Sequence, residues 1–353
     1  MKNLFSYIIL VICISIYLIG LSEPLTKKIA EYKYRTNSIW GSDKYRYGDL
    51  FGMSYYPGFQ IPLSMKATHA MEKCDTSRKI IDLYALCDSY MWSMLPSDTF
   101  YCNVNKLEYA KINNFEYLRV QLDTTKANIL LIEFSERNTL LMLQNHFTYL
   151  TEFLTIQGNK SLAPAAAITG ASSNSFIFNK NINSNLEFNI FETALFTPIK
   201  NFKATLNHSV LKTTDENVVL GPDKKYLLYQ PTLDPSLRTS SFTSISNSDI
   251  DTIVNRLNVL YFHYIEMGFT EVYFSIIPNP VTILYPNYNG YMYNNLIRRI
   301  QDHAALKNQV IDVYQDFKSA EFPIYFTSDS HWNMDGAYIW LNKLNNQLRR
   351  IEK

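Results

Sequence analysis

The chain has 353 residues, with 33 lysines and arginines against 32 aspartates and glutamates, so its formal charge at pH 7 is +1. This balance argues against a nucleic-acid-binding protein, which usually carries a basic excess. Hydrophobic residues make up 47% and charged residues 18%, a composition that is typical of a folded protein and excludes an intrinsically disordered one.

An uncharged apolar segment, Leu4 to Leu21, lies at the N-terminus. Its 18 residues suffice for a helix that crosses the hydrocarbon core of a bilayer, which needs about 17–25 residues. A secretory signal peptide has a shorter apolar stretch, and Gly20-Leu21-Ser22 offers only a weak cleavage site. We therefore predict a membrane anchor over residues 1–22, with a cleaved signal peptide and a buried core helix as alternatives.

Three cysteines follow the apolar segment. Cys74 and Cys102 could form a disulfide in an oxidising compartment, and buried free thiols are the alternative. The sequence contains no CxxC pair, and its six histidines lack the spacing of metal ligands, so we expect neither a metal site nor a cofactor.

Beyond a juxtamembrane segment, 23–66, the hydrophobic pattern alternates between strands and helices, which indicates an α/β layer fold with a mainly parallel sheet. Residues 158–240 are rich in Asn, Ser and Thr, and we interpret them as an insertion within one α/β domain, 67–353. The predicted strands are 79–85, 117–122, 128–134, 271–277 and 310–314; the predicted helices are 138–154, 190–206, 248–267, 291–307 and 333–351, with a hairpin at 221–225.

Polar side chains follow three predicted extended segments, namely the strands 79–85 and 128–134 and a further extended stretch at 323–327. The first group is Cys87-Asp88-Ser89-Tyr90, the second is Ser135-Glu136-Arg137-Asn138, and the third is Asp329-Ser330-His331-Trp332. Because reactive groups in parallel α/β sheets collect at the carboxyl ends of strands, we expect these three groups to meet at one edge of the sheet.

Ser89 is the candidate nucleophile, since a serine at a strand-to-helix turn is exposed and its own N–H can help to hold an oxyanion. A serine needs an adjacent base, for which His331 is the candidate, and Asp329 could orient the imidazole. Further candidates for contacts with the oxyanion or the substrate are Arg137, Asn138, Asp88 and Trp332.

Each group also has a purely structural interpretation. Asp88 could be a simple helix N-cap, and Trp332 could be a core residue at a helix start. Glu136 and Arg137 could form a structural ion pair. Cys87 is an alternative nucleophile, because a thiolate at a helix start has a lowered pKa.

The three groups resemble motifs of the SGNH-type hydrolases, especially a branch similar to the alginate O-acetyltransferases, with an Asp-x-His-Trp motif. The family's Gly-Asp-Ser-aromatic block corresponds to Cys87–Tyr90, and its last block to Asp329–Trp332; a strand that ends in an acidic-Arg segment resembles Ile132–Asn138. The resemblance covers roughly residues 78–140 and 270–345. It implies a three-layer SGNH/flavodoxin-like sheet with Ser89, His331 and Asp329 as a catalytic triad.

The resemblance further implies transfer of an acyl group, most often acetyl, to hydroxyls of a cell-surface polysaccharide, or its removal, and a membrane-embedded acyl-donor partner. The soluble part would then face the periplasm or the cell surface, although basic residues after the apolar segment do not favour export by the positive-inside rule. The alternative is a non-catalytic scaffold that binds glycan or an assembly partner, since Cys87 replaces the family's Gly and no Gly-x-Asn-Asp is present. A tethered structural envelope protein is a third class.

Overall fold

The structure is a computed structural model that describes residues 2–22, 25–26, 28–29, 32, 40–69, 74, 78–157, 182–211 and 215–351. The chain divides into two compact units. The first unit consists of Met1–Leu63, Ala163–Leu227 and Thr327–Asp329, and the second, the α/β unit, of Ser64–Leu162, Leu228–Phe326 and Ser330–Lys353. The predicted insertion, 158–240, is thus shared between the units, and its residues 158–181 and 212–214 lie outside the described residues.

A parallel sheet of five strands forms the centre of the α/β unit, which confirms the predicted α/β class. The strand order is β5-β4-β3-β1-β2, so the direction in which successive strands are added reverses between β1 and β3. The strands are β1 (Ile81–Cys87), β2 (Val104–Lys111), β3 (Ala127–Ser135), β4 (Glu271–Ile277) and β5 (Gln309–Val310).

The central strands are continuous apolar runs, as expected for strands that are covered on both faces. Every residue of β1 and β3 is buried. The helix Asn247–Glu266 packs the apolar residues of one face into the same core. It begins with Ser246 as N-cap in a capping box with Asp249, close to the predicted start at residue 248, and Gly268 follows it at φ +105°.

Two strands differ from the sequence prediction. Strand β2 is not among the predicted strands, because this edge strand is only partly buried and carries polar residues throughout. The predicted strand 117–122 is a short strand, Leu118–Val120, which pairs with Leu154–Ile156 outside the main sheet. The predicted helix 291–307 is reduced to Leu296–Gln301, because Asn295 enters it in a left-handed conformation after a small hairpin formed by Asn287–Tyr288 and Tyr291–Met292.

Eight α-helices are described in the α/β unit, and along the chain they alternate with the strands, singly or in groups. The predicted helix 138–154 is two helices separated at His146. Cys74 and Cys102 form a disulfide in this unit. The helices are Ser89–Met94, Glu136–Asn145, Phe147–Glu152, Asn247–Glu266, Pro280–Leu284, Leu296–Gln301, Tyr314–Ser319 and Met334–Leu348.

The first unit contains the N-terminal helix, whose window Leu4–Leu21 has a mean hydropathy of 2.6 and is long and apolar enough to cross a membrane. The predicted turn 221–225 is confirmed by the Gly221 N–H, which donates to the Tyr226 carbonyl oxygen between the short strands Val218–Leu220 and Leu227–Tyr229. The predicted helix 190–206 is interrupted at residues 192–193. The helices described in this unit are Lys2–Leu21, Asp43–Tyr47, Asp49–Ser54, Ile182–Phe191 and Thr197–Leu206.

Candidate functional site

Ser89 and His331 meet at the carboxyl end of β1. Ser89 is the first residue of the helix that follows β1, and its Oγ lies 2.6 Å from Nε2 of His331, which is 242 residues away in the sequence. Both side chains are only partly buried. This distance permits direct proton transfer between a serine hydroxyl and an imidazole. The pair also lies beside the strand-order reversal between β1 and β3, where open parallel sheets bind their ligands.

The backbone N–H of Ser89 is one of the first amides of its helix, which have no partner inside the helix. Within the described part of the chain, no acceptor is bonded to this N–H. It is therefore available to an oxyanion that develops on the carbonyl oxygen when Ser89 Oγ attacks the carbonyl carbon, and it supplies one donor of an oxyanion hole.

Asp88 is completely buried directly before Ser89, and its backbone N–H and both carboxyl oxygens form hydrogen bonds. Its Oδ1 accepts from the Tyr90 N–H at 3.0 Å and its Oδ2 from the Ser135 N–H at 2.7 Å, while its own N–H donates to Glu133 Oε2 at 2.9 Å. We call Asp88, Glu133 and the Ser135 amide the carboxyl clamp. The clamp joins the ends of β1 and β3, and it leaves Asp88 no surface for a substrate, contrary to the predicted substrate contact.

Burial, together with the neighbouring Asp88 carboxylate, raises the pKa of Glu133 well above its usual range. The side chain is completely buried in the middle of an apolar strand, where a charge is costly. The raised pKa favours the protonated form of Glu133, while the carboxyl oxygens of Asp88 accept from the Tyr90 and Ser135 N–H groups.

Two aromatic side chains position the segment that carries His331. The Tyr90 hydroxyl donates to the Ser330 carbonyl oxygen at 2.6 Å, and its ring centroid lies 4.8 Å from that of His331. The Trp332 indole N–H donates to the Tyr90 carbonyl oxygen at 3.1 Å. Trp332 is completely buried and packs against Trp340, so the expected substrate contact is wrong and its role is that of a core residue.

Arg137 and Asn138 lie at the start of the helix after β3. The guanidinium carbon of Arg137 is 5.8 Å from the Tyr90 ring centroid and 5.6 Å from that of Tyr229, so a positive charge is held beside the ring that contacts His331. The Asn138 amide lies 3.5 Å from Asp88 Oδ2, at the limit of a hydrogen bond. An oxyanion role for either side chain stays a prediction.

Asp329 belongs to the first unit, where it is 8% exposed. Its Oδ2 accepts from the Asp49 N–H at 2.8 Å, and the preceding Ser328 carbonyl oxygen accepts from the Phe51 N–H at 3.0 Å. Gly48 has φ +107°, and a Cβ there would collide with the Ser328 carbonyl, so only glycine fits this approach. A bond between Asp329 and His331 stays a prediction.

Cys87 does not fit the role of an alternative nucleophile. Its side chain is completely buried at the end of β1. Burial, with the nearby Glu133 and Asp88 carboxyls, raises the pKa of the Cys87 thiol well above its usual range. The thiol therefore stays protonated and inaccessible, which is the opposite of what thiolate catalysis requires.

Glu136 is a second buried carboxyl, and it gives the unit a pH-dependent stability. Desolvation raises its pKa to about 7, although hydrogen bonds from Thr282 and the Asn279 N–H partly offset the shift. Since this value lies above the unfolded value of about 4.3, the folded state holds the proton more tightly. This contribution to stability is complete below the unfolded pKa and is lost as the pH rises through the folded pKa.

We therefore expect the urea midpoint of the full chain in detergent to fall between about pH 5 and about pH 8, and Glu136→Gln to reduce that fall, because an amide does not titrate. Glu152→Gln, which removes an exposed carboxylate, serves as the control and should follow the parent protein. An equal fall for the parent protein and Glu136→Gln would show that Glu136 is not the titrating group.

Comparisons with protein-family models, with curated proteins and with solved structures find no match to this chain. The class that the fold and the site define is an α/β protein with a serine–histidine pair at the carboxyl end of its parallel sheet. The resemblance to the SGNH hydrolases rests on the three sequence motifs alone.

Proposed function

We propose that the protein is a membrane-anchored, SGNH-like serine acyltransferase or esterase. The observation that carries this proposal is the 2.6 Å contact between Ser89 Oγ and His331 Nε2. A serine becomes a competent nucleophile when a base takes its proton, and this pair has the required geometry. The open N–H of Ser89 adds the stabilisation that an acyl-transfer transition state requires.

The topology supports the same proposal. Read from β2, the strand order is β2-β1-β3-β4-β5, which is the order of flavodoxin-like doubly wound sheets. In such sheets the reactive site lies at the carboxyl ends of the two strands that flank the reversal, here β1 and β3. Ser89 follows β1, and the clamp residue Ser135 ends β3. We propose that this sheet and its flanking helices form a three-layer fold of the SGNH type.

The proposed reaction follows from these atoms. Ser89 Oγ attacks the carbonyl carbon of the acyl donor, and its proton moves to His331 Nε2. The carbonyl oxygen becomes an oxyanion beside the Ser89 N–H. Nε2 then returns the proton to the leaving oxygen as the carbon–oxygen bond breaks, which leaves an acyl ester on Ser89. An acceptor hydroxyl gives its proton to Nε2 and attacks this ester, and Ser89 is regenerated. In this scheme Asp329 holds the imidazolium, and Arg137 or Asn138 supplies a second oxyanion donor.

The substrate class and the compartment come from the resemblance and from two features of the chain. The resemblance suggests an acetyl group and a polysaccharide hydroxyl. The apolar helix suits an anchor, and a Cys74–Cys102 disulfide suits an oxidising compartment such as the periplasm or the cell surface. Transfer and hydrolysis share one acyl-enzyme and differ in whether a sugar or water reaches it. A transferase would draw its acyl group from a membrane-embedded donor protein.

Covalent labelling tests the nucleophile directly. A fluorophosphonate, which reacts with activated serines, should label the full chain in detergent at Ser89, and His331→Ala should abolish the labelling, because the serine is then no longer activated. Peptide mapping by mass spectrometry identifies the modified residue. Labelling at another residue, or equal labelling in His331→Ala, would contradict the proposal, and a complete lack of labelling would favour the non-catalytic scaffold.

A further inference from the structure

An exposed apolar stripe lies on the first unit, in and beside the helix Thr197–Leu206. Its side chains recur every three or four residues, and within the helix Thr197–Leu206 this spacing places them on one face. Each is between 46% and 73% exposed, and most are more than half exposed. The apolar stripe consists of Leu195 (52%), Ile199 (66%), Phe202 (73%), Leu206 (46%) and Val210 (65%).

The helix is attached to its unit by the polar side, which is the reverse of an ordinary amphipathic surface helix. Lys200 Nζ donates to the Tyr55 hydroxyl at 2.8 Å and to Glu192 Oε1 at 2.9 Å. The Thr197 hydroxyl donates to the buried carboxylate of Asp43. Because these bonds fix the helix with its apolar face outward, the exposure of the stripe is built into the packing of the unit. Exposed apolar patches of this kind mark interaction surfaces.

The same segment contacts the end of the membrane-spanning candidate. The Asn185 side-chain amide, in the helix Ile182–Phe191, donates to the Gly20 carbonyl oxygen at 3.0 Å. A Cβ at Gly20 would overlap the Leu186 side chain, so the two helices approach closely there. The last turn of a spanning helix lies at the surface of the bilayer. The chain between Ile182 and the apolar stripe therefore starts from the membrane surface.

The charge beside the stripe suits a lipid surface. Lys203 is exposed directly after Phe202, and the helix Thr197–Leu206 contains no aspartate or glutamate. Helices that lie in the membrane interface combine an apolar face of aromatic and aliphatic residues with lysines that flank it. Lysines near the surface are also attracted to anionic headgroups.

We propose that the apolar stripe inserts into the surface of the bilayer that holds the N-terminal helix. The first unit is then attached to the membrane at two points, by the spanning helix and by the stripe, and its orientation on the bilayer is fixed. The occupant of the surface is phospholipid, and a second copy of the chain is the rival occupant. This inference concerns the first unit and does not depend on the proposed chemistry of Ser89.

Site-directed fluorescence on the full chain tests the proposal. Cys13→Ser removes the exposed thiol, whereas Cys87 is buried and Cys74 and Cys102 are bonded to each other. In this background Phe202→Cys carries an environment-sensitive nitrobenzoxadiazole label. The label on Thr205→Cys is the matched control, because Thr205 is exposed on the same helix but about a quarter turn from the stripe, at about 100° per residue.

Both labelled proteins are reconstituted into phosphatidylcholine vesicles with and without phosphatidylcholine brominated near the headgroup end of one acyl chain. We expect the label at position 202 to emit at shorter wavelength and to be quenched by the brominated lipid several-fold more than the label at position 205. Aqueous iodide should show the opposite preference. Unchanged thermal melting shows that the label does not disturb the fold.

Two results would overturn the proposal. Equal access of iodide to both positions would mean that the stripe lies in water. A label at position 202 that is shielded from iodide but not quenched by brominated lipid would mean that protein covers the stripe, and self-quenching between labelled chains would then identify a second copy.

Discussion

Ser89→Ala should reduce the turnover of an activated acetyl ester by about 10⁴–10⁶-fold, the loss that removal of a nucleophile or base typically causes in serine hydrolases. Among the described residues the hydrogen-bond partner of the Ser89 hydroxyl is His331, and alanine has the highest helix propensity, so the fold should not be disturbed. The measurement is the rate of ester cleavage by the detergent-solubilised full chain, with the melting temperature as a check on folding.

Ser93→Ala is the matched control for this prediction. Ser93 lies one turn further along the same helix, and its hydroxyl donates to the carbonyl oxygen of Ser89. Its removal deletes a hydroxyl from the same helix but leaves the Ser89–His331 contact in place, so activity should stay near the parent level. His331→Ala should match the loss in Ser89→Ala, and the double variant should lose no more, because the two groups act as a unit. Retained activity in Ser89→Ala would remove Ser89 from the mechanism.

The meeting of Ser89 and His331 could be predicted because it depends on the parallel sheet and on little else. Carboxyl ends of parallel strands converge at one edge, so a serine after β1 and a histidine before the last helix are brought together by topology. The prediction did not require the register of any strand or the rotamer of any side chain.

The surroundings of the pair depend on packing detail and were not predictable in the same way. The positions of Asp88 and Trp332 beside the candidate residues predict substrate contacts, but both side chains are buried. Glu133, in contrast, carries a signal in the sequence. A carboxyl in the middle of the continuous apolar run of β3 must be paired or protonated, and this alone marks it as a positioning residue.

Gly48, in the first unit, is a second residue whose role could not be predicted from the sequence. In the sequence it is one of two glycines within residues 45–52 and looks like an ordinary turn residue. Its importance comes from the approach of the Ser328 carbonyl, 280 residues later in the chain, which leaves no room for a Cβ. Contacts between residues so far apart in sequence carry no local pattern, so sequence reasoning could not connect Gly48 with Asp329.

Asp88→Ala should destabilise the α/β unit by about 2–6 kcal/mol, because it leaves two buried amides without acceptors, at about 1–3 kcal/mol each. These are the Tyr90 N–H, which Asp88 accepts as the helix N-cap, and the Ser135 N–H. Since the carboxyl clamp holds the turn that presents Ser89, turnover should fall as well. Asp88→Asn should be intermediate, because an asparagine oxygen still caps Tyr90 but its amide does not reproduce the charge that faces Ser135.

The test is urea unfolding of the full chain in detergent, with Asp234→Ala as the matched control. Asp234 likewise accepts from the N–H two residues ahead, that of Ser236 at 2.9 Å, but it does so where water can replace it. The substitution there should cost at most about 1 kcal/mol, since the released amide stays hydrated. If Asp88→Ala cost no more than Asp234→Ala, the buried carboxylate would not be what joins β1 to β3, and the placement of Ser89 would need another cause.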